Sequence, residues 1–571
     1  MKIQVNSKSV PLWIALVSGI FFLPFLGGVH LFDWDEINFA EIAREMLVSG
    51  NFIMPQINFQ PFWEKPPFFF WLQALAMEMF GVGEYAARFP NAVAGIVVML
   101  ILYSLGRKIK DSRFGLLWAL AWFGSVLPHL YFKSGIIDPV FNLFIYLGIW
   151  YMIRMVRSAE EGSGFRSPFF YNSILSGIFI GLAVLTKGPV GLLIPGLVFG
   201  SYWVLKRFRN ITLPGGFALI TIITAVVAMG WFAFDLIYHD GWFVKTFTQY
   251  QIRLLSTEDA GHGGFPGYHF IVTLIGCFPA SWFAIHNLFK RGDTDKQLQP
   301  VRYWMVILLL VVLILFSFVQ SKIVHYSSMV YYPVSFLAAL SLYRIINKEV
   351  TVPVWLKTGL WITGGLFVMA VIILPVAGRN IDLIRPLFSK DPFAGANLEA
   401  SVNWSGWEIL PALVLLAAMV LWSRLLNRGR LTFATRTLFL GTALFVQLTL
   451  FFFIGRIEAY SQRAAVEFCE SLADKECYIT TYGYKSYVPW FYGRVKPGSD
   501  TRYFEKDWLL HGDIDKDVYI LAKIMNREEL DKMPQLEFIG EKNGFLFYRR
   551  SVDSTTGIQA DSLSSKIVAK P

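Results

Sequence analysis

Thirteen apolar runs, most of them close to the roughly 20 residues that a helix needs to cross a bilayer, occupy most of the first 455 residues of this chain. They fall near 10–31, 86–106, 114–132, 136–154, 172–186, 189–205, 215–237, 268–289, 303–319, 325–343, 354–377, 407–423 and 437–455. Inside hydrocarbon every backbone polar group must be paired within its own segment, so runs of this kind are helices. The expectation is an α-helical polytopic membrane protein of about thirteen transmembrane helices, with a small α/β domain after the last. The first run lacks a small-x-small cleavage site and reads as a retained span.

The loops between the runs sort into two kinds. One set is basic throughout: Lys2 and Lys8, Arg107 to Arg113, Arg154 to Arg166, Lys206 to Arg209, Lys290 to Arg302, Arg344 and Lys348, Arg424 to Arg430. By the positive-inside rule these are cytoplasmic. They account for much of the net charge of +10, which is therefore no nucleic-acid footprint. Three Cys exclude a disulfide scaffold or a zinc finger, although Cys469 and Cys477 could pair in an oxidising compartment.

The alternate loops are extracytoplasmic, and the candidate chemistry lies there. The first, Phe32 to Phe70, holds two charge clusters among aromatic residues: Asp33/Asp35/Glu36 and Glu64/Lys65. Charges in apolar surroundings are costly unless something requires them. Phe39, Ile42, Ala43, Met46 and Leu47 make one apolar face, which predicts a helix lying flat in the membrane interface. Asp33 with Glu36 three residues later fits a capping box. That leaves Asp35, which is either a first-turn acid complementing the helix dipole or a functional group. Taken alone, Glu64 and Lys65 read as a neutralising pair beside a helix start more readily than as an anion contact through Lys65.

Partners on the same side tip the balance. Asp138 stands at the mouth of its span in Asp-Pro, Lys187 in a tight Thr-Lys-Gly-Pro turn, and Arg253 and His262 in a Gly-rich loop. Lys322, His325 and Tyr326 open another span. Lys65, Lys187, Arg253 and Lys322, gathered opposite to the basic cytoplasmic loops, call for an anionic ligand, and a lipid phosphate or pyrophosphate is the natural one.

These residues resemble the GT-C fold glycosyltransferases that use polyprenyl-phosphate sugars. The resemblance rests on D-E-x-x-F-A-E-x-A-R-E-M from Asp35, F-W-E-K-P-P from Phe62, Asp138-Pro139, L-T-K-G-P from Leu185, Arg253 with His262, and S-K-x-x-x-Y from Ser321. The motifs lie nearest those of the lipid A aminoarabinose transferases, with protein O-mannosyltransferases more distant. The resemblance implies catalytic roles for Asp35 and Asp138. It implies that Lys65, Arg253 and Tyr326, with Lys187 and Lys322 beside them, hold the lipid-linked phosphate. It implies that Glu64 and His262 could bind a divalent ion, zinc or magnesium, and that no nucleotide cofactor is used.

The implied partners are a polyprenyl-phosphate-sugar donor, a lipid or glycan acceptor and membrane lipids. The implied place is the cytoplasmic membrane, with the site on its outer side. His325 beside Tyr326, and the Gly-rich 261–264 stretch, depart from the family pattern. A protein or glycan acceptor is the alternative within the class. A lipid-linked sugar flippase is the rival from another class, but it would place charges at the midplane and show internal repeats.

After Arg456 the pattern becomes soluble. An amphipathic helix is expected over Ile457–Ala473, then strands at Cys477–Thr481 and Val518–Ala522. A hairpin follows, Leu536–Gly540 and Phe545–Arg549, turning at Lys542-Asn543-Gly544. The assignment is a membrane domain over 1–456, with the first outer loop at 32–85, a soluble domain over 457–550, and a disordered tail over 551–571.

Overall fold

The computed structural model describes residues 9–161, 167–256, 263–289, 297–498 and 500–552. Among them, nine helices are long and apolar enough to cross a membrane, from Glu84–Ile109 through Leu431–Ala459. Two bent pairs raise the number to eleven: Ser112–Phe123 with Val126–Lys133, bent by 83°, and Tyr268–Gly276 with Ala280–Phe289, bent by 114°. The first and sixth expected spans form shorter helices, Val10–Phe22 and Val190–Leu205. The third and eighth expected spans are the two bent pairs, because apolar length alone does not report a bend.

Local chemistry sets the boundaries. Asp111 caps Ser112–Phe123 by accepting from the Phe114 amide at 2.8 Å. Basic residues fill the last turns at Arg107/Lys108, Arg157, Arg344 and Arg424, where they also complement the helix dipole. The buried core of the bundle is aromatic, with Trp118, Trp122, Tyr146 and Tyr332 at its centre. Tyr146 stacks on Tyr332 at 4.1 Å between ring centroids.

The soluble part is a four-stranded sheet. After the short loop hairpin β1 (Gln56–Ile57) and β2 (Gln60–Pro61) come β3 (Tyr478–Tyr482), β4 (Val518–Lys523), β5 (Glu537–Lys542) and β6 (Phe545–Arg550). Their order is β3-β4-β6-β5, with β3 and β4 parallel and the other pairs antiparallel. Asn543 and Gly544, both at positive φ, make the β5–β6 turn. The helix expected over Ile457–Ala473 is broken. Leu431–Ala459 runs on past the last apolar run, the chain turns at Tyr460–Gln462, and Arg463–Glu470 starts again. Cys469 and Cys477 are free thiols. The expected tail lies, from residue 553, outside the described residues.

The apolar face of the helix in the first long loop is covered by protein. This helix, Asp35–Ser49, is buried from Glu36 to Met46. Its apolar side chains share one core with Phe69 and Phe70 from the next helix and with Val466, Cys469, Val488 and Phe547 from the soluble domain. The apolar pattern that suits a lipid surface suits a domain interface equally well.

Candidate active site

Asp35 opens the loop helix, and its two acidic neighbours prove structural. The expected capping box is absent. The N-cap position is Trp34, held at φ +74°, and no side chain caps the helix there. Asp33 instead accepts from the amides of Trp34 at 2.8 Å and Tyr487 at 3.0 Å, which ties the loop to the soluble domain. Burial raises the Asp33 carboxyl above its ordinary value, and those hydrogen bonds with Ser486 and Lys485 only partly offset it.

Glu36 is sealed in. It takes a bidentate pair from Arg88 at 3.1 and 2.8 Å and the amides of Phe32 and Gly135 at 3.0 and 2.5 Å. Burial alone would raise this carboxyl, but Arg88 and the amides hold it below the usual value. Asp35 is the third acid, and its side chain is 46% exposed.

The other carboxylate of the site is buried. Asp138 begins the span Asp138–Glu160, and its Oδ1 accepts from Lys187 Nζ at 2.6 Å. Its Oδ2 is buried without a hydrogen-bond partner among the described residues. Lys187 reaches this point because the chain reverses directly after it. Gly188 has φ +90°, and a Cβ there would lie 2.3 Å from the Phe247 ring, so neither the turn nor the close approach tolerates a side chain. Lys187 also sits 5.3 Å from the ring centre of Tyr326.

His325 joins the two acids. Its Nε2 is 3.4 Å from Asp35 Oδ2 and 3.8 Å from Asp138 Oδ2. It lies with Tyr326 in the 3-10 stretch Val324–Val330. The sequence marked His325 as an oddity, and its place between two carboxylates on distant segments is what the sequence could not supply.

Lys65 completes the group. Burial lowers its ammonium below the ordinary lysine value and Lys187 pushes the same way, while Glu64, Asp35 and Asp138 oppose them. A lysine desolvated this way gains from an arriving anion. Lys65 and Arg253 each lie 5.3 Å from the centre of the Tyr250 ring, which Trp63 abuts at 5.4 Å. Tyr250, unremarkable in the sequence, thus collects two cations.

Asp35, Asp138, Lys65, Lys187 and Tyr326 are therefore brought together, with Arg253 joined through Tyr250. Lys322 is not brought in. It is buried, and its ammonium donates to the carbonyls of Phe316 at 3.0 Å, Ser317 at 2.9 Å and Val319, closing the C-terminus of Gln299–Phe318. This corrects the phosphate-binding expectation: a lysine four residues beyond a helix end finds the free carbonyls first. Glu64 stands beside Lys65, and His262 lies outside the described residues. Among the described residues no three His, Cys, Asp or Glu side chains converge as a metal-ligand set.

Known proteins resemble this chain in sequence and in fold. The family of dolichyl-phosphate-mannose-protein mannosyltransferases matches residues 64–231. The undecaprenyl phosphate-alpha-4-amino-4-deoxy-L-arabinose arabinosyl transferase of Edwardsiella ictaluri is 24% identical over 429 residues, 73% of this chain and 74% of its own. Its namesake in Pseudomonas aeruginosa is 26% identical over 386 residues, 66% of this chain and 67% of its own.

Among solved structures, ArnT of Cupriavidus metallidurans bound to undecaprenyl phosphate superposes with a TM-score of 0.73 at 18% identity, covering 96% of this chain and 99% of that one. This chain has the GT-C fold. The archaeal oligosaccharyltransferase AglB of Archaeoglobus fulgidus is a more distant likeness, with a TM-score of 0.51 at 11% identity over 91% of this chain and 70% of that one. The resemblance read from the loop motifs is borne out, as is the expectation of a multi-pass helical protein with a small C-terminal sheet domain.

Proposed function

We propose that this chain is an inverting glycosyltransferase that moves an aminoarabinose-like sugar from polyprenyl phosphate to an envelope lipid of the lipid A type. The transfer takes place at the outer face of the cytoplasmic membrane. The observation that carries this reading is the convergence of Asp35, half exposed, with Lys65, Lys187 and Tyr326 at one mouth of the bundle. The relatives named for an undecaprenyl-phosphate-linked sugar supply the donor class.

The bond between the anomeric carbon and the phosphate oxygen breaks, a bond to the acceptor oxygen forms on the opposite face, and polyprenyl phosphate leaves. Lys65, with Arg253 across the Tyr250 ring, meets the charge that develops on that phosphate. Lys187 adds to the same field and is held in place by Asp138, which makes Asp138 a positioning group. Asp35 takes the proton of an acceptor hydroxyl, or orients an acceptor phosphate that is already ionised. His325 fixes the Asp35 carboxylate against Asp138.

A divalent ion at Glu64 and His262 is proposed beside this, and each step above is carried by the chain's own side chains. Elemental analysis tests it: an ion that copurifies and is lost in Glu64→Gln supports the site, and an ion-free active protein removes it.

The reaction is tested by giving membranes that contain the chain radiolabelled polyprenyl-phosphate sugars. Label in the lipid fraction supports the reading, label in protein moves the acceptor to another class, and no transfer from folded protein overturns it.

A further inference from the structure

Adjacent residues at the start of the loop helix face different domains. Asp35 meets His325 of the membrane bundle, whereas Trp34, one peptide earlier, meets the soluble domain. The Trp34 ring lies 6.1 Å from that of Tyr487, and the Lys485 ammonium lies 5.3 Å from the Trp34 ring centre and 5.1 Å from that of Tyr487. Trp34 is 45% exposed although it is a large aromatic beside a buried helix, and its positive φ is one that non-glycine residues seldom adopt. Lys485 is exposed as well, seated against two rings.

Their position is fixed. Gln462 accepts from the Asp33 amide at 2.9 Å and donates to the Leu31 carbonyl at 2.6 Å, and the Tyr492 hydroxyl receives the Leu31 amide at 2.6 Å. The soluble domain is thus pinned to the segment that carries Asp35. In an inverting displacement the acceptor approaches opposite to the leaving phosphate. Lys65, Lys187 and Tyr326 stand where Asp35 meets the bundle, and the soluble domain presents Lys485 where Trp34 leaves it.

We propose that Lys485, with the Trp34 and Tyr487 rings, is the acceptor subsite, in which the ammonium takes an anionic phosphate of the acceptor headgroup and the rings cover the sugar beside it. The C-terminal domain then supplies part of the active site from outside the bundle. This rests on the glycosyltransferase reading above and names the acceptor side of that site.

The test is a transfer assay with radiolabelled undecaprenyl-phosphate aminoarabinose as donor and a detergent-dispersed envelope-lipid extract, before and after phosphatase, as acceptor. Lys485→Glu raises the apparent KM for the untreated extract about tenfold, with kcat and donor KM within about twofold of wild type. Lys485→Arg restores the KM, Lys532→Glu on the same domain leaves it unchanged, and for any acceptor in the extract that still takes label after phosphatase the difference between wild type and Lys485→Glu is gone. An unchanged acceptor KM in Lys485→Glu, or an equal change in donor KM, overturns the subsite while leaving the enzyme reading intact. A folded wild type that transfers nothing to untreated extract overturns the enzyme reading, and the subsite with it.

Discussion

Asp35 and Glu36 are adjacent in sequence and opposite in circumstance. Glu36 is buried and receives four hydrogen bonds, two of them from a guanidinium that also holds the carbonyls of Leu26, Val29 and His30. Asp35 is half exposed, with one histidine at 3.4 Å and a group of cations beyond. The first is a structural rivet between the loop and two spans. The second has the freedom that a reacting group needs. Membrane-level acids are costly in general, and in this pair the cost is met in one case by permanent partners and in the other by partial exposure to solvent.

Substitutions can break that contrast. Asp35→Asn reduces turnover about 10³-fold or more while melting temperature and donor binding stay at wild-type values. Glu36→Gln does the reverse: it leaves Arg88 charged and buried, costs about 3–5 kcal/mol of stability, and leaves the kcat of the folded fraction unchanged. Denaturation curves alongside single-turnover assays separate the two, and an inactive but fully stable Glu36→Gln would erase the distinction.

Lys65→Ala and Lys322→Met extend the comparison to the cations. Lys65→Ala lowers kcat/KM for the donor by about 10²-fold, as expected for losing one charge that faces the leaving phosphate. Lys322→Met leaves donor kinetics unchanged and costs about 1–2 kcal/mol, because three carbonyls lose their donor. A donor defect in Lys322→Met would return this residue to the site.

The smallest expected effect is at Glu45. It is buried, accepts from the Phe59 amide at 2.8 Å and stands beside Glu41. Burial and Glu41 raise its pKa well above 4.5. The folded chain therefore holds this proton more tightly than the unfolded one. The stabilisation is complete below about pH 4.5 and is lost as pH rises through the raised value. Glu45→Gln imitates the protonated form, leaves stability at low pH within about 0.5 kcal/mol of wild type and flattens that slope, as urea titrations at several pH values would show.

The helical architecture was legible in the sequence because apolar length and loop charge are local properties. So was the gathering of Asp35, Asp138, Lys65 and Lys187 at one end of the bundle. Distance was not legible. Asp33 and Glu36 have the spacing of a capping box, yet Tyr487 and Arg88, 454 and 52 residues away, take them. The apolar face of Asp35–Ser49 could not say whether lipid or the soluble domain would cover it. Lys322 has the same motif context as a phosphate ligand but finds a helix end three to six residues away. Tyr250 carries no motif, and the fold alone brings it beside Lys65 and Arg253.

The measurement closest to the centre of this account is transfer of label from a radiolabelled polyprenyl-phosphate sugar by purified, reconstituted protein, with Asp35→Asn and Glu36→Gln run in parallel. Wild type transfers. Asp35→Asn binds donor at full stability and does not transfer. Glu36→Gln transfers in proportion to the fraction that remains folded. Turnover by Asp35→Asn at the wild-type rate would contradict the account and remove Asp35 from the reaction.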